Sequence, residues 1–234
     1  MADFPAWLHD VAIISLILAG VCAITIALDE LRRPQKMKIM YLVWPLTALF
    51  GSVIWLAAYY RYGRGPAPGE ELGDPPFPAK VLKGASHCGA GCTLGDIIAE
   101  WTVFAVPVIA TWFGYGTLFQ EKMFAVWIPD FILAFGIGIV FQYFSIKPMR
   151  DLSPGEAVKQ ALKADFASIT SWQVGMYGMM AVVQLAIYRP LFGAVAEVNT
   201  PEFWFGMQIA MLAGFCTAYP MNWFLIRTGV KEAM

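Results

Sequence analysis

Charge is scarce in this chain. Asp, Glu, Lys and Arg make up 14% of its 234 residues, against about 25% in ordinary soluble domains. Histidine is scarcer still, with only His9 and His87. So few imidazoles speak against a bundle holding several haems between paired histidines. No Lys or Arg precedes the first apolar run, where Asp3, His9 and Asp10 stand instead. A secretory signal needs a basic start, so this apolar segment is expected to remain as a helix. The four cysteines are Cys22, Cys88, Cys92 and Cys216, and two lie deep in apolar runs. That excludes a secreted disulfide scaffold. A net charge of -1 with a pI near 6.1 gives no ground for a nucleic-acid partner. What is abundant is apolar: 59% hydrophobic and 15% aromatic residues, with a mean hydropathy of +0.59. Such a composition excludes a soluble enzyme and excludes intrinsic disorder.

A span needs about 20 mostly apolar residues. Six runs approach this, near 7–28, 37–60, 88–118, 129–146, 165–188 and 201–226. The expected fold is therefore all-α: one integral membrane domain over residues 1–234, a polytopic bundle of about six transmembrane helices. Trp44-Pro45 suggests a kink in the second run. Pro129-Asp130 suits the first turn of the fourth, and Thr200-Pro201-Glu202 that of the sixth. The Pro/Gly-rich stretch 61–85 is expected to be a flexible loop outside the hydrocarbon. Ser153-Pro154-Gly155-Glu156 matches a capping box, so a helix should begin there and run on into the fifth span.

Lys and Arg in the loops after spans two and four and in the C-terminal tail number ten, against six in the others. This count puts both termini in the cytoplasm. The four basic residues of 32–38 and the acidic N-terminus pull the other way.

The chemistry concentrates in Ser86-His87-Cys88-Gly89-Ala90-Gly91-Cys92-Thr93-Leu94-Gly95-Asp96-Ile97-Ile98-Ala99-Glu100. On a helix, Cys88, Cys92, Asp96 and Glu100 are each four apart. Successive members drift by about 40°, so they form one slanting stripe. Gly91 and Gly95 border it and would let another helix approach closely. His87 adjoins. Two thiols, an imidazole and carboxylates suit Cu(I) or Zn(II), which makes His87, Cys88, Cys92, Asp96 and Glu100 candidate metal ligands. The Cys-x3-Cys spacing is not the usual Cys-x2-Cys of zinc ribbons. The blander alternative is two small cysteines packed in a helix interface. Intramembrane acids nonetheless usually mark function. Asp165, Ser168, Gln173, Gln142, Gln208 and Asn222 also fall inside spans, where interhelical hydrogen bonding explains most polar groups. Met176, Met179, Met180, Met207 and Met211 read as packing.

The stretch 86–96 resembles the signature of a bacterial integral-membrane family catalogued as a domain of unknown function. So do Phe141-Gln142-Tyr143-Phe144, Pro148-Met149-Arg150, Lys163-Ala164-Asp165, Gln173-Val174-Gly175-Met176-Tyr177, Tyr219-Pro220-Met221-Asn222-Trp223 and Gly229-x-Lys231-Glu232-x-Met234. The resemblance covers roughly residues 80–234. It implies a multi-pass protein of a bacterial inner membrane and leaves the activity open.

Three functions follow from the residues. The first is a membrane protein that holds or delivers a soft metal, Cu(I) or Zn(II), with no catalysis required. The second is a thiol-redox protein using Cys88 and Cys92. The third is an accessory subunit of a larger membrane complex. Its partners would be the lipid bilayer, the metal ion and other membrane subunits. A channel or secondary transporter has less support, because no repeat, row of charges or pair of broken helices stands out.

Overall fold

Long apolar runs leave a backbone in lipid one way to satisfy its polar groups, which is to form helices. The computed structural model describes residues 4–35, 37–67, 73–146 and 153–232, and among these the chain is all-α. Helix α1 spans Ala6–Glu30. Helix α2 spans Met40–Ala58 and is continued by a π-helical segment, Tyr59–Gly63. Helix α3 spans Phe77–Ala105, and a short α4 covers Val108–Trp112. Helix α5 spans Lys122–Ile146. Helix α6 spans Pro154–Ala181, followed by π-helical Val182–Tyr188 and α7, Arg189–Phe192. Helix α8 spans Pro201–Arg227.

The start of α6 follows its sequence signal. Ser153 Oγ accepts from the Glu156 amide, and the Glu156 carboxylate accepts from the Ser153 amide and hydroxyl. These bonds hold the Glu156 carboxyl below its usual range. The helix then runs unbroken into the fifth apolar run.

Side-chain contacts fix the direction of each helix. His9 meets Glu202 at 2.7 Å, and Ser15 donates to Gln208 at 2.7 Å. Helices α1 and α8 therefore run side by side in the same direction. Phe77 packs on Trp223, and Tyr219 donates to the Pro78 carbonyl. Helix α3 thus begins where α8 ends, at what is called here the near end. Helix α5 returns against α3, with Gly138 beside Gly91 and Ala134 beside Gly95. Helix α6 reverses again, since Tyr177 donates to the Trp127 carbonyl at the start of α5. At the far end, Glu121 and Arg189 form a two-bonded ion pair, which holds Glu121 below the usual carboxylate range.

Helix α2 does not run the length of the bundle. Its backbone breaks at Ser52, with φ 47° and ψ -129°, a conformation that costs a residue bearing a Cβ about 1–3 kcal/mol. Beyond the break the chain returns. Tyr59 packs edge-on against Trp44 at 5.7 Å, and Arg64 pairs with Asp29 at 2.6 Å. Gln35 Nε2 donates to the Gly63 carbonyl at 3.0 Å. Residues 40–63 therefore form a helical hairpin that enters from the near end, turns at Ser52 and comes back.

Several expectations are corrected. Among the described residues four segments, rather than six, are long and apolar enough to cross a membrane: Ala6–Glu30, Met40–Gly63, Lys122–Ile146 and Pro201–Arg227. One of these four is the hairpin. Helices α3 and α6 run the length of the bundle but carry too many polar side chains to qualify. Helix α3 begins at Phe77, inside the stretch expected to be loop, and ends before Pro107. Pro129 lies within α5 rather than at its start, and Pro45 is not the site of the break. Thr200 makes no side-chain cap; its hydroxyl bonds the Glu197 carbonyl instead. Because α1 and α8 run in one direction, α1 begins at the far end and α8 finishes at the near end. Pro148-Met149-Arg150 and Met234 lie outside the described residues.

Candidate functional site

Helix α3 is the axis of the bundle, and glycine makes it so. A Cβ on Gly95 would lie 2.6 Å from the Ala134 backbone, and one on Gly91 would lie 3.0 Å from Gly138 Cα. The close approach expected of these two glycines is met by α5. All of residues 84–93 are buried, as are Gly95, Asp96, Ala99 and Glu100.

At the near end a polar knot surrounds Cys88. Lys231, just beyond α8, sends its ammonium into the bundle. It donates to Asp165 Oδ1 at 2.9 Å, Cys88 Sγ at 3.0 Å and the Gly84 carbonyl at 3.3 Å. Cys88 Sγ also lies 2.9 Å from Ser168 Oγ and 3.5 Å from Asp165 Oδ1. Asn222 Nδ2 donates to Ser168 Oγ at 2.7 Å. Three helices and the C-terminal segment thus converge on one thiol. The small residue at 84 brings Lys231 in, because a Cβ there would meet Ile226, Asn222 and Lys231 within 4 Å.

His87 points elsewhere, to Ser145 on α5, with Nε2 and Oγ 2.8 Å apart. Its Nδ1 is buried without a hydrogen-bond partner. Further along α3, Asp96 and Glu100 interact electrostatically with Asp130 of α5. Both oxygens of Asp96 and of Asp130 are buried without a well-formed hydrogen bond, and Gln173 of α6 is the polar side chain beside Asp96. Glu100 in turn feels Lys122 and Glu197 at the far end. Residues 88, 92, 96 and 100 thus form a buried polar line. At 1.5 Å per residue it climbs about 18 Å along the helix.

These positions do not make one metal centre. Among the described residues no group of three or more His, Cys, Asp or Glu side chains lies close enough together to hold a metal ion. The drift of about 40° per step spreads His87, Cys88, Cys92, Asp96 and Glu100 around and along α3. Cys88 faces an ammonium, and His87 faces a hydroxyl. Cys88 and Cys92 are both free thiols.

A domain of unknown function, DUF4396, matches residues 79–231. The chain belongs to that family. No curated protein and no solved structure matches it. The family segment begins two residues into α3 and ends on Lys231, so it contains every member of the Cys88 knot. Helix α1 and the hairpin lie outside it.

Lys231 escaped notice as a site residue. It follows the last apolar run, where a lone lysine reads as a solvated tail. Its sequence signal was its place in the Gly229-x-Lys231-Glu232 motif; the structure adds that Gly229, with a positive φ of 71°, turns the chain back.

Proposed function

We propose that the protein is a multi-pass protein of a bacterial inner membrane that passes protons across it along α3. Five helices, α1, α3, α5, α6 and α8, would cross, and α2 would enter halfway. The observation that carries this reading is the buried line of ionisable groups from Lys231, Asp165 and Cys88 to Asp96, Asp130 and Glu100. Along α3 it covers about 18 Å, more than half of the hydrocarbon thickness of about 30 Å. Buried carboxylates without partners are expensive in a membrane interior and mark proton relays there. An unpaired buried polar group costs roughly 1–3 kcal/mol, and bridging water is the ordinary means of offsetting it.

Charge supports an orientation. Among the described residues, eleven Lys and Arg side chains belong to segments at or nearest the near end, against Lys122 and Arg189 at the far end. By the positive-inside bias, the near end is cytoplasmic. On this reading the end of α8 lies inside and the start of α1 outside.

Proteoliposomes loaded with a pH-sensitive dye test the relay. With potassium and valinomycin setting a potential, wild-type protein should carry protons at least about tenfold faster than empty vesicles. Asp96→Asn should abolish the excess. Flux equal to that of protein-free vesicles would end this reading.

The soft-metal reading retains one observation, the two free thiols of Cys88 and Cys92 one helical turn apart. It requires the Lys231 ammonium to leave Cys88, and a third ligand to come from elsewhere. Metal content decides it.

A further inference from the structure

A hairpin that turns halfway leaves the other half of its column unfilled. A cavity of about 160 Å³ lies there, between the hairpin tip, α1, α3 and α8. Leu49 and Phe50 of the tip form its roof, and Ala19, Met207 and Met211 line its walls. Leu16, Ile97 and Trp204 are lining residues that are only partly covered, so an apolar molecule can reach it from the bilayer. The lining is apolar apart from Thr93, Gln208 and Asp96. Two of these polar groups are engaged. Thr93 donates to the Gly89 carbonyl, and Gln208 links Ser15 to the Leu49 carbonyl. Asp96 is less so. It is 1% exposed, its oxygens make no well-formed hydrogen bond, and Gln173 of α6 is the polar side chain beside it.

We infer that this cavity binds a small lipophilic cation, an apolar body with one ammonium group set against Asp96. Size and charge both point to it. A cavity of about 150 Å³ lined by aliphatic and aromatic side chains accepts a benzene ring, and this one is of that size. The carboxyl groups electrostatically linked to Asp96 are Glu100 and Asp130, both acidic. An ammonium group set against Asp96 is the complement that lets a carboxyl of this group ionise, whereas an anion gains nothing from it. Gln208 gives the site rigidity, because it ties α1 to the backbone of the hairpin tip across the cavity. The broken backbone at Ser52 fits the same role, since non-helical backbone at membrane depth is tolerated where it is buried or lines a cavity.

Binding at Asp96 does not need proton flux, so the two proposals fail separately. Benzylamine and its neutral isostere ethylbenzene serve as probes, titrated calorimetrically into nanodisc-embedded protein. Wild type should bind benzylamine saturably and at least about tenfold more tightly than ethylbenzene. Asp96→Asn should erase that preference, and Leu16→Trp at the mouth should weaken both probes by about tenfold or more. Size-exclusion profiles and tryptophan emission show that each variant is folded. Equal affinity for the two probes, or benzylamine binding indifferent to Asp96→Asn, would mean a lipid-tail niche and overturn the proposal. So would the absence of saturable binding to folded wild type. Binding without flux would overturn only the proton relay, and flux without binding only this site.

Discussion

Lys231 Nζ lies 2.9 Å from Asp165 Oδ1, and neither side chain has any exposure. The pair joins the segment after α8 to α6, and the same ammonium holds Cys88 of α3. Removing one member of such a pair strands the other. Lys231→Met should therefore destabilise the protein by about 3–5 kcal/mol, the usual cost of leaving a buried charge uncompensated. The double variant Lys231→Met/Asp165→Asn should recover much of the loss. Thermal melts in one detergent check this. A double variant no more stable than Lys231→Met alone would show that the pairing is not what matters.

The hairpin makes a prediction about sidedness. Leu31 and Gly73 flank it and should lie on one side of the membrane, with Leu118 on the other. Single cysteines at these exposed positions, in a Cys216→Ser background, can be probed with a membrane-impermeant maleimide. Intact cells should label only Leu118→Cys. Inside-out vesicles should label Leu31→Cys and Gly73→Cys. If Leu31→Cys and Gly73→Cys label from opposite sides, residues 40–63 cross the membrane after all.

Glycine substitutions should grade by the space around them. A Cβ at Gly95 would press on the Ala134 backbone at 2.6 Å, one at Gly91 on Gly138 at 3.0 Å, and one at Gly20 on nothing within 4 Å. Overpacking typically costs about 1–3 kcal/mol. Gly95→Ala should be the most destabilising of the three and Gly91→Ala intermediate. Gly20→Ala should be neutral or slightly stabilising, because alanine is the better helix former. Melting temperatures in a different order would contradict the α3–α5 packing.

Metal content separates the remaining readings of the two thiols. With Lys231 3.0 Å from Cys88 Sγ, gently purified protein should carry well under about one equivalent of copper or zinc. Cys88→Ser/Cys92→Ser should leave that figure unchanged. Lys231→Met frees the thiol from its ammonium, so any capacity for Cu(I) should rise in that variant. One equivalent in wild type, lost in the double variant, would restore the soft-metal function.

The sequence by itself determined an all-α chain with helices apolar and long enough to span a membrane, because long apolar runs satisfy their backbone best as helices. It also marked the stripe from Cys88 to Glu100, since a four-residue spacing has a fixed meaning on a helix. The capping box at Ser153 and the close approach at Gly91 and Gly95 were legible for the same reason: they are local rules. Tertiary structure decided what local rules cannot reach. Hydropathy registers how apolar residues 40–63 are but not which way they run, so the turn at Ser52 was invisible, and with it the fact that α1 starts and α8 finishes at opposite ends of the bundle. Counting the hairpin as a crossing divided the basic residues ten to six; treating it as a return gathers nearly all of them at one end. The polar runs of α3 and α6 survive inside the bundle because α5 packs over the one and α8 over the other, a burial that no single segment shows. The same holds for Lys231, which is an ordinary tail lysine until three helices and the turn at Gly229 close around it. Neighbours also separated the candidate ligands. Residues that share a stripe in sequence face α5, α6 and the C-terminal segment in turn, because a helix rotates away from any fixed direction as it climbs.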